Sequence, residues 1–101
     1  MKLYLDDERK CPIGWRLAKT APEAIALLEK GGVTHVSLDH DLGDGPQVGN
    51  GYDVMLWLEQ MIISEDYPAP VIKIHTANVS ARVKMELALK QIHKYLAAKQ
   101  Q

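Results

Sequence analysis

Three short apolar runs each end in a polar cluster with the residue types of phosphoryl or metal chemistry. Leu3-Tyr4-Leu5 leads into Asp6-Asp7-Glu8-Arg9, Val36-Ser37-Leu38 into Asp39-His40-Asp41, and Ile72-Lys73-Ile74 into His75-Thr76-Ala77-Asn78. If the runs are neighbouring strands, Asp6, Asp7, Glu8, Asp39 and Asp41 crowd one edge, where like charges repel by several kcal/mol unless something neutralises them. A divalent cation is the economical answer. Carboxylates, a backbone carbonyl and water suit Mg²⁺ or Mn²⁺, and His40 and His75 leave a softer metal open. The competing reading is that only two or three of these carboxylates converge while the others cap turns or face water. It holds well for any single aspartate and poorly for three clusters at once.

Imidazole as a group titrates near neutrality, so His40 and His75 each read as a general acid or base at a phosphoester, a metal ligand, or a histidine hydrogen-bonded in the sheet edge. His35, inside a strand, and His93, late in a helix, read as structural. Thr76 and Asn78 can donate to a phosphoryl oxygen or cap the following helix. Arg9 and Arg82 are candidate anion clamps, with ordinary surface charge as the alternative. The stretch Gly43-Asp44-Gly45-Pro46-Gln47-Val48-Gly49-Asn50-Gly51 holds four of the seven glycines. It can close over a phosphate at a helix start or serve as a mobile surface loop, and Asn50-Gly51 also suits a tight turn.

The elements that must position these residues follow from period and caps. Thr20-Ala21-Pro22-Glu23 is a capping box, Ala24, Leu27 and Leu28 form the stripe behind it, and Gly31-Gly32 ends the helix. Val54, Leu58, Met61 and Ile62 define a second helix, with Asp53 and Glu59 left for solvent or a partner and a stop before Pro68 and Pro70. A third begins near Asn78 or Ser80 and turns Met85, Leu89, Ile92 and Leu96 to one side. Lys2 to Leu5, Val33 to Leu38 and Val71 to Ile74 are too brief for helices and read as buried strands. Trp15 to Lys19, with its alternation, adds an edge strand. Strands alternating with helices predict parallel pairing and right-handed crossovers.

Composition sets the outer bounds. The chain has 101 residues, 47% hydrophobic and 25% charged, with twelve basic against thirteen acidic side chains. One domain over residues 1–101 is expected, too apolar for disorder and, at net charge -1, without the broad basic face of a nucleic-acid binder. No apolar run reaches membrane-spanning length, and Met1-Lys2-Leu3-Tyr4-Leu5 meets Asp6 and Asp7 at once, unlike a secretory signal, so the expected location is the cytoplasm. The single Cys11 excludes an internal disulfide and any multi-cysteine metal site.

The clusters resemble a known family. Leu5-Asp6-Asp7-Glu8 is similar to the acidic pair that closes the first strand of a response-regulator receiver domain. The Asp39 region, with Gly51-Tyr52-Asp53-Val54 downstream, resembles its phosphoacceptor strand and the segment after it. Ile74-His75-Thr76-Ala77 resembles the strand ending in Thr-Ala, and Trp15 to Glu29 fits the second strand and its helix. The chain departs from the receiver pattern in three ways. It has no room for a first helix between Asp7 and Trp15, no fifth strand, and no counterpart of the lysine that strand carries. The combination Leu5-Asp6-Asp7-Glu8-Arg9, Leu38-Asp39-His40-Asp41-Leu42-Gly43, Gly51-Tyr52-Asp53-Val54 and Ile74-His75-Thr76-Ala77-Asn78 is more similar to the cyclic-phosphate-processing receiver-like domains.

That resemblance implies an α/β fold of the receiver-like (flavodoxin-like) three-layer type. Its four-stranded parallel sheet would run in the order 2-1-3-4, with three helices and without the first helix and fifth strand. It implies a metal-dependent phosphoesterase acting on cyclic phosphate or nucleotide phosphoester bonds, RNA ends among the substrates. Asp6, Asp7, Asp39 and Asp41 would be the candidate cation ligands, Asp41 alternatively orienting His40 or a water molecule. Asp39 would be a ligand or the nucleophile, and His40 or His75 would protonate the leaving oxygen. Thr76, Asn78 and Arg9 would bind the substrate. The alternative is a non-catalytic module that binds a divalent cation, a nucleotide or a protein partner. Homodimerisation through the last helix or an unpaired sheet edge is compatible with either.

Overall fold

A computed structural model describes residues 1–100 of the chain. Its elements are β1 (Lys2–Leu5), β2 (Trp15–Ala18), α1 (Ala21–Lys30), β3 (His35–Leu38), α2 (Gly51–Ser64), β4 (Val71–Ile74) and α3 (Val79–Lys99). The order is the one the sequence predicts. Each helix starts on a side-chain cap. Thr20 Oγ1 accepts the Glu23 amide at 3.2 Å, while the Glu23 carboxylate reaches past the cap to the Lys19 amide. Asn50 and Asp53 form a reciprocal capping box at 3.0 and 2.9 Å, so Asn50-Gly51 begins a helix, where a tight turn was the other expectation, and Asp53 is spent on the cap. Asn78 Oδ1 accepts the Ala81 amide at 3.1 Å and starts α3.

The four strands are parallel and run β2-β1-β3-β4, as the resemblance implies. Leu3 stands beside Val36, and Val36 beside Ile72; Leu5 stands beside Leu38 and Ala18. Because neighbours in register point the same way, these residues form one apolar sheet face. It joins Ala24 and Leu28 of α1, Val54 and Leu58 of α2, and Met85 and Ile92 of α3 in a single buried core. The crossovers β2 to β3 and β3 to β4 step in the same direction, so their common right hand puts α1 and α2 on one side, and α3 packs on α2.

Of the three layers of the receiver plan, two are therefore built. The third needs a helix between β1 and β2 or one after a fifth strand, and among the described residues neither exists. The face left over carries Tyr4, Trp15, Leu17, His35, Ser37 and Lys73. Trp15 meets Tyr4 and His35 edge-on, with ring centroids 6.2 and 6.3 Å apart.

β4 is an edge strand. The amides of Val71 and His75 face β3, bonding to Thr34 and Leu38 carbonyls, so the backbone groups of Ile72 and Ile74 point outward. Arg82 of α3 reaches this edge and donates to the carbonyls of Ile74 and Thr76, both at 3.3 Å. Its other terminal nitrogen bonds to Glu86, so the guanidinium is engaged at the sheet edge. No helix is long and apolar enough to cross a membrane.

Candidate active site

The sheet ladder continues one residue beyond each strand, and that residue opens each polar cluster. The Asp6 amide bonds to the Ala18 carbonyl, that of Asp39 to Leu5 and that of His75 to Leu38, at 2.9 to 3.0 Å. Three separate stretches of chain are thereby pinned at the carboxyl edge, the position at which open α/β sheets bind ligands. Carboxylate oxygens of Asp6, Asp7 and Asp39 lie within 4.8 Å of one another, the first and third buried. Asp41 is not in this group. Its Oδ1 lies 2.9 Å from His40 Nδ1, and its Oδ2 accepts Asn78 Nδ2 at 3.2 Å. These two bonds hold its carboxyl below the ordinary range. Glu8 lines the cleft outside the cluster.

Asp6 is the most tightly bound of the three. Oδ1 accepts the amides of Glu8 and Arg9, both at 2.9 Å, and Oδ2 accepts Arg9 Nη1 at 2.9 Å and His75 Nε2 at 3.0 Å. Burial alone would raise its pKa, but the two amides, the guanidinium and the imidazole outweigh burial and lower it from 3.8 to about 2. The same Arg9 nitrogen lies 3.3 Å from Asp39 Oδ2, so one guanidinium spans two of the three carboxylates. Asp39 Oδ1 accepts the His40 amide at 2.8 Å.

The two site histidines differ. His75 Nδ1 is 2.7 Å from the hydroxyl of buried Ser37, Nε2 is on Asp6, and the ring stacks on Tyr4 at 4.5 Å. Both its nitrogens are committed inside the protein. His40 uses only Nδ1, toward Asp41, and its Nε2 is buried with no hydrogen-bond partner among the described residues. Ser37 and Tyr4 lie outside the polar clusters that mark the site in the sequence. Their signal was a period-two one: both occupy strand positions on the side of the sheet that His75 continues.

Asp7, Arg9, Asp39, His40, Asp41 and Thr76 line an open cleft of about 760 Å³, closed on one side by the glycine-rich loop. An isolated antiparallel bridge between Asp41 and Asn50 pins the ends of that loop. Gly51 permits the arrangement: a Cβ there would stand 1.8 Å from the Asp39 carbonyl oxygen. Buried Thr76 accepts the Asn78 amide at 3.1 Å, which leaves its hydroxyl proton for the cleft. Asn78 takes the capping role and reaches Asp41, so it borders the site without opening onto it.

A parallel 2-1-3-4 sheet with clustered carboxylates at its carboxyl edge defines a receiver-type domain, with no helix between β1 and β2 among the described residues. The chain belongs to the cyclic-phosphate processing receiver domain family, whose sequence profile matches residues 1–91. No curated protein and no solved structure gives a match.

Proposed function

We propose that the domain is a phosphoesterase for cyclic phosphate or nucleotide phosphoester bonds, working with a divalent cation, Mg²⁺ or Mn²⁺, held by Asp6, Asp7 and Asp39. The observation that carries this reading is the convergence of those three carboxylates beside a histidine with one nitrogen unused. Their all-oxygen donor set fits a hard cation, and a positive group, the Arg9 guanidinium, already rests between two of them. When bound, the cation would polarise the phosphoryl group and offset its charge.

Asp39 is the nucleophile: its carboxylate oxygen forms a bond to phosphorus as the ester P–O bond breaks, and the leaving oxygen takes a proton from His40 Nε2. Asp41 holds His40 by Nδ1, so the proton exchanged is the one on Nε2. Water then cleaves the aspartyl phosphate, with His40 taking its proton. The Thr76 hydroxyl donates to a non-bridging oxygen. His75, with both nitrogens in use, positions Asp6.

The test is hydrolysis of 2′,3′-cyclic, 3′,5′-cyclic and linear phosphoesters with Mg²⁺ or Mn²⁺, beside Asp39→Asn, His40→Gln and His75→Gln. Turnover abolished by Asp39→Asn and reduced roughly 10²- to 10⁴-fold by His40→Gln is the expected result. Absence of turnover on every ester, with cation binding intact, would replace the enzyme with the cation-binding module.

A further inference from the structure

The hydrogen bonds around Asp6 leave it no room for another partner. A carboxylate has about four acceptor positions, and on Asp6 the amides of Glu8 and Arg9, Arg9 Nη1 and His75 Nε2 occupy them. On Asp39 the His40 amide takes Oδ1, and Arg9 Nη1 stands against Oδ2. Only Asp7 has no side-chain partner among the described residues. Of the groups that fill the site, two on Asp6 are backbone amides and a third is an imidazole clamped by Ser37 and Tyr4. The guanidinium is different. Its side chain is 45% exposed and comes from the connector between β1 and β2, which has no helix to hold it. One nitrogen of this group stands against Oδ2 of both buried aspartates, so its departure would open a ligand position on each at once.

We propose that Arg9 is the site's internal counter-ion: its guanidinium occupies the place between Asp6 and Asp39 that the divalent cation takes, and entry of the cation releases Arg9 to bind phosphoryl oxygens of the substrate. This rests on the cation reading given above and adds a competition between two positive groups for the same oxygens. The freed side chain, anchored at the rim of the cleft, is planar and multi-donor, which suits a phosphate.

The test is Mn²⁺ binding to the full chain by calorimetry, for the wild type, Arg9→Ala, Lys10→Ala and Asp39→Asn. Losing a charge-assisted competitor should tighten binding in Arg9→Ala by roughly tenfold to a hundredfold. Lys10→Ala removes the same charge one residue along, at an exposed position outside the site, and should change affinity no more than about twofold. Equal effects of the two substitutions, or weaker binding in Arg9→Ala, would overturn the proposal. If Asp39→Asn abolishes binding while Arg9→Ala leaves it unchanged, the counter-ion idea falls and the cation site stands. If none of the proteins binds Mn²⁺, both fall.

A second measurement needs no variant. In a Mg²⁺ titration of the wild type followed by NMR, the Arg9 Nε–H signal should move with the same midpoint as the Asp39 amide, and an unmoved Arg9 signal would refute displacement. With Mg²⁺ saturating, inorganic phosphate should bind Arg9→Ala roughly tenfold more weakly than the wild type. Equal phosphate binding would refute the second post of the side chain.

Discussion

Replacing Asp6 by asparagine keeps the shape of the side chain and removes its charge, and the cost should depend on pH in a way the hydrogen bonds dictate. The folded protein lowers the carboxyl from 3.8 to about 2. That depression corresponds to on the order of 2 kcal/mol of stability tied to the ionised form. The folded-state value is depressed, so this contribution is complete above the unfolded value and disappears as pH falls through about 2. Asparagine adds a loss of a different kind. Four donors face Asp6, two on each oxygen, so two of them would meet an amide NH₂, a mismatch of about 1 to 3 kcal/mol that pH does not change. Urea unfolding with a chelator present, followed by the fluorescence of Trp15 and Trp57, gives the gap between wild type and Asp6→Asn at each pH. Taking the difference cancels carboxylates common to both proteins. The gap should be largest and flat from about pH 7 to about pH 5, and narrow by roughly 2 kcal/mol toward pH 2. A gap that stays constant over that range would show that Asp6 is held by shape alone, and the account of its charge would be wrong.

Gly51→Ala should destabilise the fold by about 3 kcal/mol or more, because the new methyl meets the Asp39 carbonyl oxygen at 1.8 Å; a melting temperature within about 1 °C of wild type would contradict that contact. Asn50→Ala removes the reciprocal cap of α2 and should cost about 1 kcal/mol by urea midpoint, with Asn50→Asp recovering most of it. Ser37→Ala takes the hydroxyl from His75 Nδ1 and should cost about 1 kcal/mol. In ring-nitrogen NMR it should also turn a single His75 tautomer into a mixture, and an unchanged spectrum would dissociate Ser37 from that role.

The strands were legible because each is a short apolar run ended by charge, and the helices because Thr20, Asn78 and the Val54–Leu58–Ile62 stripe announce start and face. Asn50-Gly51 was ambiguous for a physical reason. Asparagine caps helices and also opens turns, and what decides between them here is the closeness of the Asp39 backbone to Gly51, a contact between distant parts of the fold. The number of layers was likewise outside the reach of local pattern. It depends on the two crossovers that carry α1 and α2 stepping the same way, with no other helix of the receiver plan among the described residues. At the site, Asp6, Asp7 and Asp39 meet because the ladder fixes the first residue after each strand. Asp41 lies two residues farther on, beyond that control, and answers to His40 and Asn78. The clamp on His75 was hidden because its partners, Ser37 and Asp6, are brought to it only by register across the sheet.

Arg82, lying along the outer edge of β4, also bears on how the chain behaves at high concentration. An exposed strand is a template on which another polypeptide can grow, and many proteins that lose an outer strand become prone to fibril formation. Here the guanidinium already holds the Ile74 and Thr76 carbonyls that an incoming strand would need, and expelling it would leave those groups and a charge to be satisfied anew. Among the described residues the sheet thus ends at its fourth strand with part of that outer edge already occupied by an arginine.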